Sequence, residues 1–220
     1  MDNRAVIESF DKIAGYPIET WDHNIHYHAF LLRKLPGNRN AALDIGSGLG
    51  AFTRRLSRFF THVDAVDFSP RMTECASSLS LSIPNISYRC ADFMMEQYAE
   101  HAYDLITSIA TFHHLPMREA LEKAKQALRP GGRLMILDLV RPQTASDYLY
   151  SAAGAVANRI LAPFRTQRRP PRLRRAWEEH GSLDHHPTVA EVLQACDGVL
   201  PGAVVRRHLY FRYSLLWSKL

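Results

Sequence analysis

The sequence has few of the features that mark secreted or membrane-spanning proteins. Its three cysteines are odd in number and widely spaced, so they form neither a disulfide framework nor a Cys-x-x-Cys motif. No apolar run approaches the roughly 20 residues that a membrane-spanning helix needs. The first residues lead into an amphipathic segment and not into a secretory signal. Together these absences predict a soluble, cytoplasmic protein without a membrane span.

The formal net charge is only +5, and part of the excess falls in one short segment. Six arginines lie in the eleven residues from Arg165 to Arg175. This run has three interpretations: a solvent-exposed face, a patch that attracts an anionic substrate, or an RNA-binding patch in which Trp177 stacks on a base. The sequence disfavours nucleic acid as a partner, because no additional recognition domain accompanies the arginines.

Between residues 40 and 140, short apolar runs alternate with segments of helical periodicity. Strands are predicted at 41–45, 62–66, 86–90, 104–109 and 133–139, and helices at 52–60, 71–81 and 116–128. This alternation predicts an α/β fold with a Rossmann-like, doubly wound, mostly parallel sheet. After a helix at 188–195, two strands at 203–208 and 210–217 follow too closely for a parallel crossover. We therefore expect seven strands, with an antiparallel arrangement at the C-terminal edge.

A glycine-rich turn follows the first predicted strand. Gly46, Gly48 and Gly50 stand at a strand-to-helix junction, where glycine lets the backbone approach a ligand closely. Gly46, Gly48 and Ala51 also satisfy the dinucleotide-binding pattern. The turn by itself therefore leaves a nicotinamide-dependent oxidoreductase open.

Three acidic residues near the predicted strand ends narrow the choice of cofactor. Asp67 stands 21 residues after Gly46, where a carboxylate can accept both hydrogen bonds of a ribose diol, as either cofactor requires. Asp92, beside Phe93, suits an adenine amino group and is no part of the dinucleotide pattern; its alternative role is a helix N-cap. Asp44 lies inside an apolar strand, where its charge suits a cationic ligand such as a sulfonium.

These motifs, taken in order, resemble those of class I S-adenosylmethionine-dependent methyltransferases, and most closely the small-molecule, ubiquinone/menaquinone-methylase-like branch. The resemblance covers about residues 40–140. The matching segments are Asp44–Gly50, Ala65–Ser69, Cys90–Phe93, Tyr103–Ile106 with Phe112–Leu115, and Leu128–Leu134. The resemblance implies in-line transfer of a methyl group from S-adenosylmethionine to a small-molecule oxygen or nitrogen atom.

The same resemblance implies a role for individual residues of the cofactor site. The glycine turn lines the methionine part and the ribose, and Asp67 holds the ribose hydroxyls. Phe68 lies beside the adenine, while Asp92 and the Phe93 backbone pair with its polar edge. The carbonyl of Ile109 faces the methionine ammonium. Phe10–Ala14 followed by Trp21 and Asp22 resembles the lid segment of these enzymes, and Arg212–Trp217 resembles their edge strand.

Histidines are the candidates for a base that accepts the acceptor's proton. His113 and His114 follow the fourth strand at the sheet edge where open α/β sheets bind ligands, and one of them is the first candidate. His28, with His26 on the predicted lid helix, is the second. For each of them a structural role remains the alternative.

No metal site is predicted from the histidine pairs. His26 and His28, His113 and His114, and His185 and His186 each lack a carboxylate or cysteine partner at ligand spacing in the sequence.

We expect a single domain. It comprises a helical lid (1–36), a cofactor-binding core (40–140), a helical substrate-side insertion (142–187), and a last helix with edge strands (188–220). Substrate choice is assigned to the lid and the insertion.

Three alternatives to a small-molecule methyltransferase stay open. An RNA or protein methyltransferase would use the arginine run, but Ala110–His113 does not match the motif of base N-methylases. A nicotinamide-dependent oxidoreductase is opposed by Asp44, Asp92 and the Pro-Gly-Gly turn. A cofactor-binding protein without catalysis is the third.

Overall fold

A computed structural model describes residues 3–16, 23–143, 148, 170–182 and 184–220. Within these residues, seven strands form one sheet with the order β3-β2-β1-β4-β5-β7-β6. The first five strands are parallel, and β7 is antiparallel to both β5 and β6. The strands are β1 Ala41–Ile45, β2 His62–Asp67, β3 Ile86–Cys90, β4 Tyr103–Ile109, β5 Leu128–Leu139, β6 Val204–His208 and β7 Arg212–Ser218. This confirms the predicted fold class.

The described helices cover both faces of the sheet and its ligand-binding edge. They are α1 Asn3–Ala14, α2 His23–Leu32, α3 Thr53–Leu56, α4 Pro70–Leu79, α5 Met117–Ala127, α6 Pro171–Gly181 and α7 Val189–Cys196. A short 3-10 helix, Phe112–His114, follows β4. Among the described helices, none combines the length and the apolar character needed to cross a membrane.

Two hydrophobic cores lie on opposite faces of the sheet. Because successive side chains of a strand point to opposite faces, Leu43 and Ile45 pack in one core while Ala42 packs in the other. The first core includes α5 and α7, and the second includes Leu31 of α2 and Leu56 of α3. The central strands are thus buried on both faces of the sheet. This packing holds their C-terminal ends in fixed positions at one edge of the sheet.

One helix differs clearly from its sequence-based bounds. A helix was expected at 52–60, but α3 spans only Thr53–Leu56 and turns follow it. Phe52, Leu56 and Phe60 are nevertheless all buried in the second core. A single helical turn followed by tight turns buries the same three side chains, so the apolar spacing did not require a longer helix.

A smaller cluster joins α1, α4 and α6 beside the ligand-binding edge. It contains Ile13, Met72 and Leu173, with Trp177 packed against them. Residues 172–175 hold the described part of the arginine run, whose three arginines are exposed. The described residues do not include the other three arginines of that run or most of the predicted 142–187 insertion. They also do not include Trp21 and Asp22 of the predicted lid segment.

Candidate active site

A cavity of about 430 Å³ opens at the C-terminal ends of β1 and β4, the point at which the strand order reverses. Open α/β sheets bind their ligands at this point. A second, smaller cavity lies beside it, around Asp92 and Phe93. We call them the main cavity and the side cavity. The residues that line both are Gly46, Asp67, Phe68, Thr111 and His114.

The glycine turn has the backbone conformation that its sequence predicts. Gly46, Gly48 and Gly50 have φ angles of +70°, +53° and +76°, which residues with a Cβ rarely adopt. A Cβ at Gly46 would overlap the Thr111 side chain. At Gly48 a Cβ would meet no atom within 4 Å, so the space over this residue belongs to the main cavity. Gly46 and Gly48 therefore offer bare backbone to a ligand, whereas Gly50, which was predicted with them, lines neither cavity and packs against Tyr88.

Asp67 lies at the end of β2 and lines both cavities. Its Oδ2 accepts a hydrogen bond from the Gly48 amide at 2.8 Å, and its Oδ1 accepts one from the Ser69 amide at 2.9 Å. Each carboxylate oxygen keeps a further lone pair that can accept a ligand hydroxyl. Burial raises the pKa of Asp67 to about 6, against the effect of the two amide donors.

Asp44 is buried at the base of the main cavity, as expected for an acid in an apolar strand. The Thr53 hydroxyl donates a hydrogen bond to its Oδ2 at 2.6 Å. Burial raises the pKa of Asp44 to about 7. Together with Asp67, this residue places two carboxyl groups beside the glycine turn.

The adenine side of the predicted site coincides with the side cavity. Asp92 and Phe93 line it, and the Met94 amide donates to Asp92 Oδ1 at 2.8 Å, so Asp92 also caps a turn. Phe68 lies edge-on against Phe10 of α1 with ring centroids 5.9 Å apart. Helix α1, which belongs to the predicted lid, therefore contacts a predicted cofactor residue through an aromatic pair.

The end of β4 supplies the remaining cofactor candidate. Ile109 lines the main cavity, and its carbonyl accepts a hydrogen bond from the Thr111 hydroxyl at 3.3 Å. The next residue, Ala110, has a left-handed φ of 55°. This kink turns the chain toward the 3-10 helix that carries His113 and His114.

The histidine candidates line the main cavity from two sides. His28 of α2 lies with its ring 4.8 Å from that of Phe52, and burial together with Arg55 lowers its pKa to about 3. His114 is also buried, and burial with its neighbour His113 lowers its pKa to about 4. His26, predicted beside His28, does not line the cavity and packs on Tyr27.

His113 forms a buried pair with a residue that the sequence reasoning missed. Asp138 of β5 accepts hydrogen bonds from His113 Nδ1 at 2.7 Å and from the His113 amide at 2.8 Å. Burial alone would lower the pKa of His113, but Asp138 and Asp184 outweigh it and raise the pKa to about 9. The sequence did contain a signal for Asp138. Like Asp44, it is an acid inside an apolar strand segment, Met135–Leu139, and such a position indicates a functional role.

A second missed carboxylate completes a cluster at the far side of the main cavity. Asp184 Oδ1 lies 3.7 Å from His113 Nε2, 3.6 Å from His114 Nε2 and 3.4 Å from His180 Nε2. We call these four residues the imidazole–carboxylate cluster. Asp184 Oδ1, His113 Nε2 and both ring nitrogens of His114 are buried without a hydrogen-bond partner in the described part of the chain.

His180 contacts helix α1 through a hydrogen bond. Its Nδ1 lies 2.7 Å from Ser9 Oγ, whose hydroxyl donates to the Val6 carbonyl. A serine hydroxyl has one proton, so when Ser9 donates to the Val6 carbonyl it accepts from the N–H of His180 Nδ1. In that tautomer of the neutral ring, the His180 Nε2 that faces Asp184 is the unprotonated nitrogen.

Comparison with known proteins places the sequence among methyltransferases. A family described as a methyltransferase domain matches residues 43–136. An uncharacterized methyltransferase of Mycobacterium tuberculosis is 29% identical over 205 residues, covering 90% of this chain and 97% of the relative. A ubiquinone biosynthesis O-methyltransferase of Xylella fastidiosa is 29% identical over 193 residues, covering 79% and 76%.

The fold is shared with solved structures of the same class. The N-methyltransferase NodS of Bradyrhizobium japonicum, solved with S-adenosylhomocysteine, superposes with a TM-score of 0.66 over 97% of this chain and 98% of NodS. The two sequences are 20% identical. A SAM-dependent methyltransferase of Aquifex aeolicus gives a TM-score of 0.58 at 19% identity, covering 88% and 89% of the two chains.

Proposed function

We infer that the chain is a class I S-adenosylmethionine-dependent methyltransferase, and we propose that it methylates an oxygen or nitrogen atom of a small molecule. The observation that carries the proposal is the imidazole–carboxylate cluster, which lines the same cavity as the glycine turn. The cavity thus has a cofactor side and a chemically reactive side. Its volume of about 430 Å³ suits a small-molecule site.

The residues of the two cavities fit S-adenosylmethionine. The bare backbone at Gly48, the spare lone pairs of Asp67 and the polar edge at Asp92 would hold the methionine part, the ribose and the adenine, respectively. Asp44 and Asp67 would offset the positive charge of the ligand. When bound, S-adenosylmethionine supplies a methyl group already activated on sulfur. The chain has mainly to align the acceptor and exclude water.

The imidazole–carboxylate cluster is our candidate for activating the acceptor. Hydroxyl and protonated amine acceptors must lose a proton on methylation, and imidazole and carboxylate groups can take it. Asp138 orients His113, and Ser9 orients His180, so both rings present Nε2 to the same place. His28 lines the cavity from α2 and stays the second candidate for the base.

Arg212 favours an acceptor that carries negative charge. It is buried at the edge of the main cavity, where its Nε donates to Asn24 Oδ1 at 3.0 Å. A buried guanidinium is the group best suited to bind a carboxylate or phosphate. Within the arginine run, Arg172, Arg174 and Arg175 are exposed and line neither cavity, so they would not contact a small acceptor bound there.

Methyl transfer can be tested with methyl-labelled S-adenosylmethionine and a panel of phenols, hydroxy acids and amines. We expect label in a hydroxyl or amine acceptor, and we expect Asp138→Asn to lower turnover by about 10- to 100-fold because His113 loses its orienting carboxylate. Affinity for S-adenosylhomocysteine should stay at the wild-type value, because Asp138 does not line either cavity.

The control is Asp64→Asn, which alters a second acid of the sheet; this one is half-buried, bonded to Tyr103 and absent from the lining of both cavities. Its turnover should equal that of the wild type. Equal turnover in Asp138→Asn and Asp64→Asn would contradict a role for the cluster in activating the acceptor. Label transferred only to RNA or protein would contradict the small-molecule acceptor.

A further inference from the structure

We propose that His113, His114 and Asp184 bind a divalent transition metal ion, with His180 as an additional ligand. One ligand atom of each of the first three residues lies within 4.8 Å of the others. The sequence did not predict this site because the carboxylate lies 70 residues after His114. The proposal concerns binding of the ion and stands apart from the identity of the acceptor.

The distances suit a shared ion better than direct hydrogen bonds. Ligands of tetrahedral Zn²⁺ at 2.0–2.1 Å lie about 3.3–3.4 Å apart. The distances from Asp184 Oδ1 to Nε2 of His180, His114 and His113 are 3.4, 3.6 and 3.7 Å. All three therefore need to shorten by only a few tenths of an ångström or less around an ion.

In His113 and His180, the ring nitrogen that faces away from Asp184 has the kind of hydrogen-bond partner that a metal-binding histidine usually has. A ligand histidine usually donates its other ring N–H to a carboxylate or another oxygen, which fixes the tautomer that leaves the ligand nitrogen bare. His113 makes this bond to Asp138 at 2.7 Å, and His180 makes it to Ser9 at 2.7 Å. In a metal-bound form, both rings would therefore present a bare Nε2 to an ion beside the Asp184 oxygen.

The part of the imidazole–carboxylate cluster that surrounds Asp184 is closed to solvent. The side chains of His113, His114, His180 and Asp184 are only 2%, 7%, 5% and 8% exposed. Asp184 Oδ1, His113 Nε2 and both ring nitrogens of His114 have no hydrogen-bond partner among the described residues, although buried polar groups are normally paired. A single cation satisfies the cluster at once.

The donor set indicates the class of ion. Neutral imidazoles with one carboxylate suit Zn²⁺, Fe²⁺ or Co²⁺, whereas Mg²⁺ and Ca²⁺ prefer oxygen ligands. With His113, His114 and Asp184 as the three protein ligands, an acceptor hydroxyl in the main cavity could take the fourth position in place of His180, and the ion would make loss of the hydroxyl proton to solvent easier. This consequence rests on the proposed function, and in it the histidines act as ligands and not as the base.

The site can be tested on untagged, chelator-treated protein by calorimetric titration with Zn²⁺ and by the visible absorption of Co²⁺. We expect one ion per chain, a Co²⁺ spectrum typical of nitrogen and oxygen ligands, and no displacement by excess Mg²⁺. Asp184→Asn and His114→Asn should each weaken Zn²⁺ binding by at least about tenfold, because loss even of a group that only orients a ligand costs 10- to 100-fold.

His62→Asn is the matched control, because His62 also lies beside an aspartate, Asp64, at 3.2 Å but at the surface and away from both cavities. It should bind Zn²⁺ like the wild type. Thermal unfolding and S-adenosylhomocysteine affinity show that each variant is folded.

Two results would overturn the metal site: no stoichiometric Zn²⁺ binding by the wild type, or equal affinity in Asp184→Asn. Methyl transfer by metal-free protein that binds no Zn²⁺ overturns the site and leaves the proposed function standing. Stoichiometric Zn²⁺ binding that is lost in Asp184→Asn supports the site even if no small molecule is methylated.

Discussion

Replacing Asp67 with alanine is expected to weaken S-adenosylmethionine binding by at least about tenfold, since hydrogen bonds to a charged group contribute about 1.5–3 kcal/mol each. The substitution removes the carboxylate that we assign to the ribose hydroxyls. It also leaves the Gly48 and Ser69 amides without the carboxylate to which they now donate hydrogen bonds. Isothermal titration calorimetry with S-adenosylmethionine measures the change directly, and Asp64→Asn on the same strand should bind like the wild type.

The pH dependence of binding gives a second readout for Asp67. Its pKa is raised to about 6, so a fall in pH through this value protonates the carboxyl and should weaken binding of a cationic cofactor. Asp11, Asp44 and Cys90 are the titratable groups coupled to it, and Asp44 titrates near pH 7. Between pH 7 and 5, Asp67→Asn should therefore show a smaller loss of affinity than the wild type. An unchanged affinity in Asp67→Ala would refute the ribose role.

Gly46→Ala should both destabilise the protein and abolish cofactor binding. The φ angle of +70° costs an alanine about 1–2 kcal/mol. The added Cβ would also overlap the Thr111 side chain, and overpacking of this kind costs about 1–3 kcal/mol. Moving Thr111 would displace the loop between β4 and the His113 turn, so both sides of the main cavity change. Urea unfolding and calorimetry measure the two effects.

Gly131→Ala is the matched control for backbone strain. Gly131 has a φ of +77°, but a Cβ there meets no atom within 4 Å, and the residue lines neither cavity. It should lose only the strain energy and keep the wild-type cofactor affinity. Adding Thr111→Ala to Gly46→Ala should recover part of the lost stability. Equal stability and affinity in Gly46→Ala and Gly131→Ala would show that the contact with Thr111 has no role.

The sheet could be predicted because each central strand is a short apolar run between turn residues. The central strand at 41–45 was expected and lies there. Helix length was less predictable. Apolar residues spaced four apart predict which side chains are buried, but they do not determine which backbone hydrogen bonds form between them. Phe52, Leu56 and Phe60 meet that pattern with one helical turn.

The cofactor side of the site was more predictable than the acceptor side. Asp44 and Asp67 belong to parallel strands whose carboxyl ends share one edge, so their order in the sequence implies their proximity. Asp184 and His180 reach His113 only through the path of the chain between β5 and α7. No periodicity or residue spacing in the sequence predicts that path. The members of the cluster are also far apart along the chain, so the sequence alone does not indicate that they lie together.

A crystal structure with S-adenosylhomocysteine tests the account most directly. We expect the ribose diol within hydrogen-bonding distance of the Asp67 carboxylate, the adenine in the side cavity by Asp92, and the sulfur directed toward the imidazole–carboxylate cluster. A nucleoside bound outside these two cavities, or a sulfur directed away from His113 and Asp184, would contradict the assignment of this cavity as the site of methyl transfer.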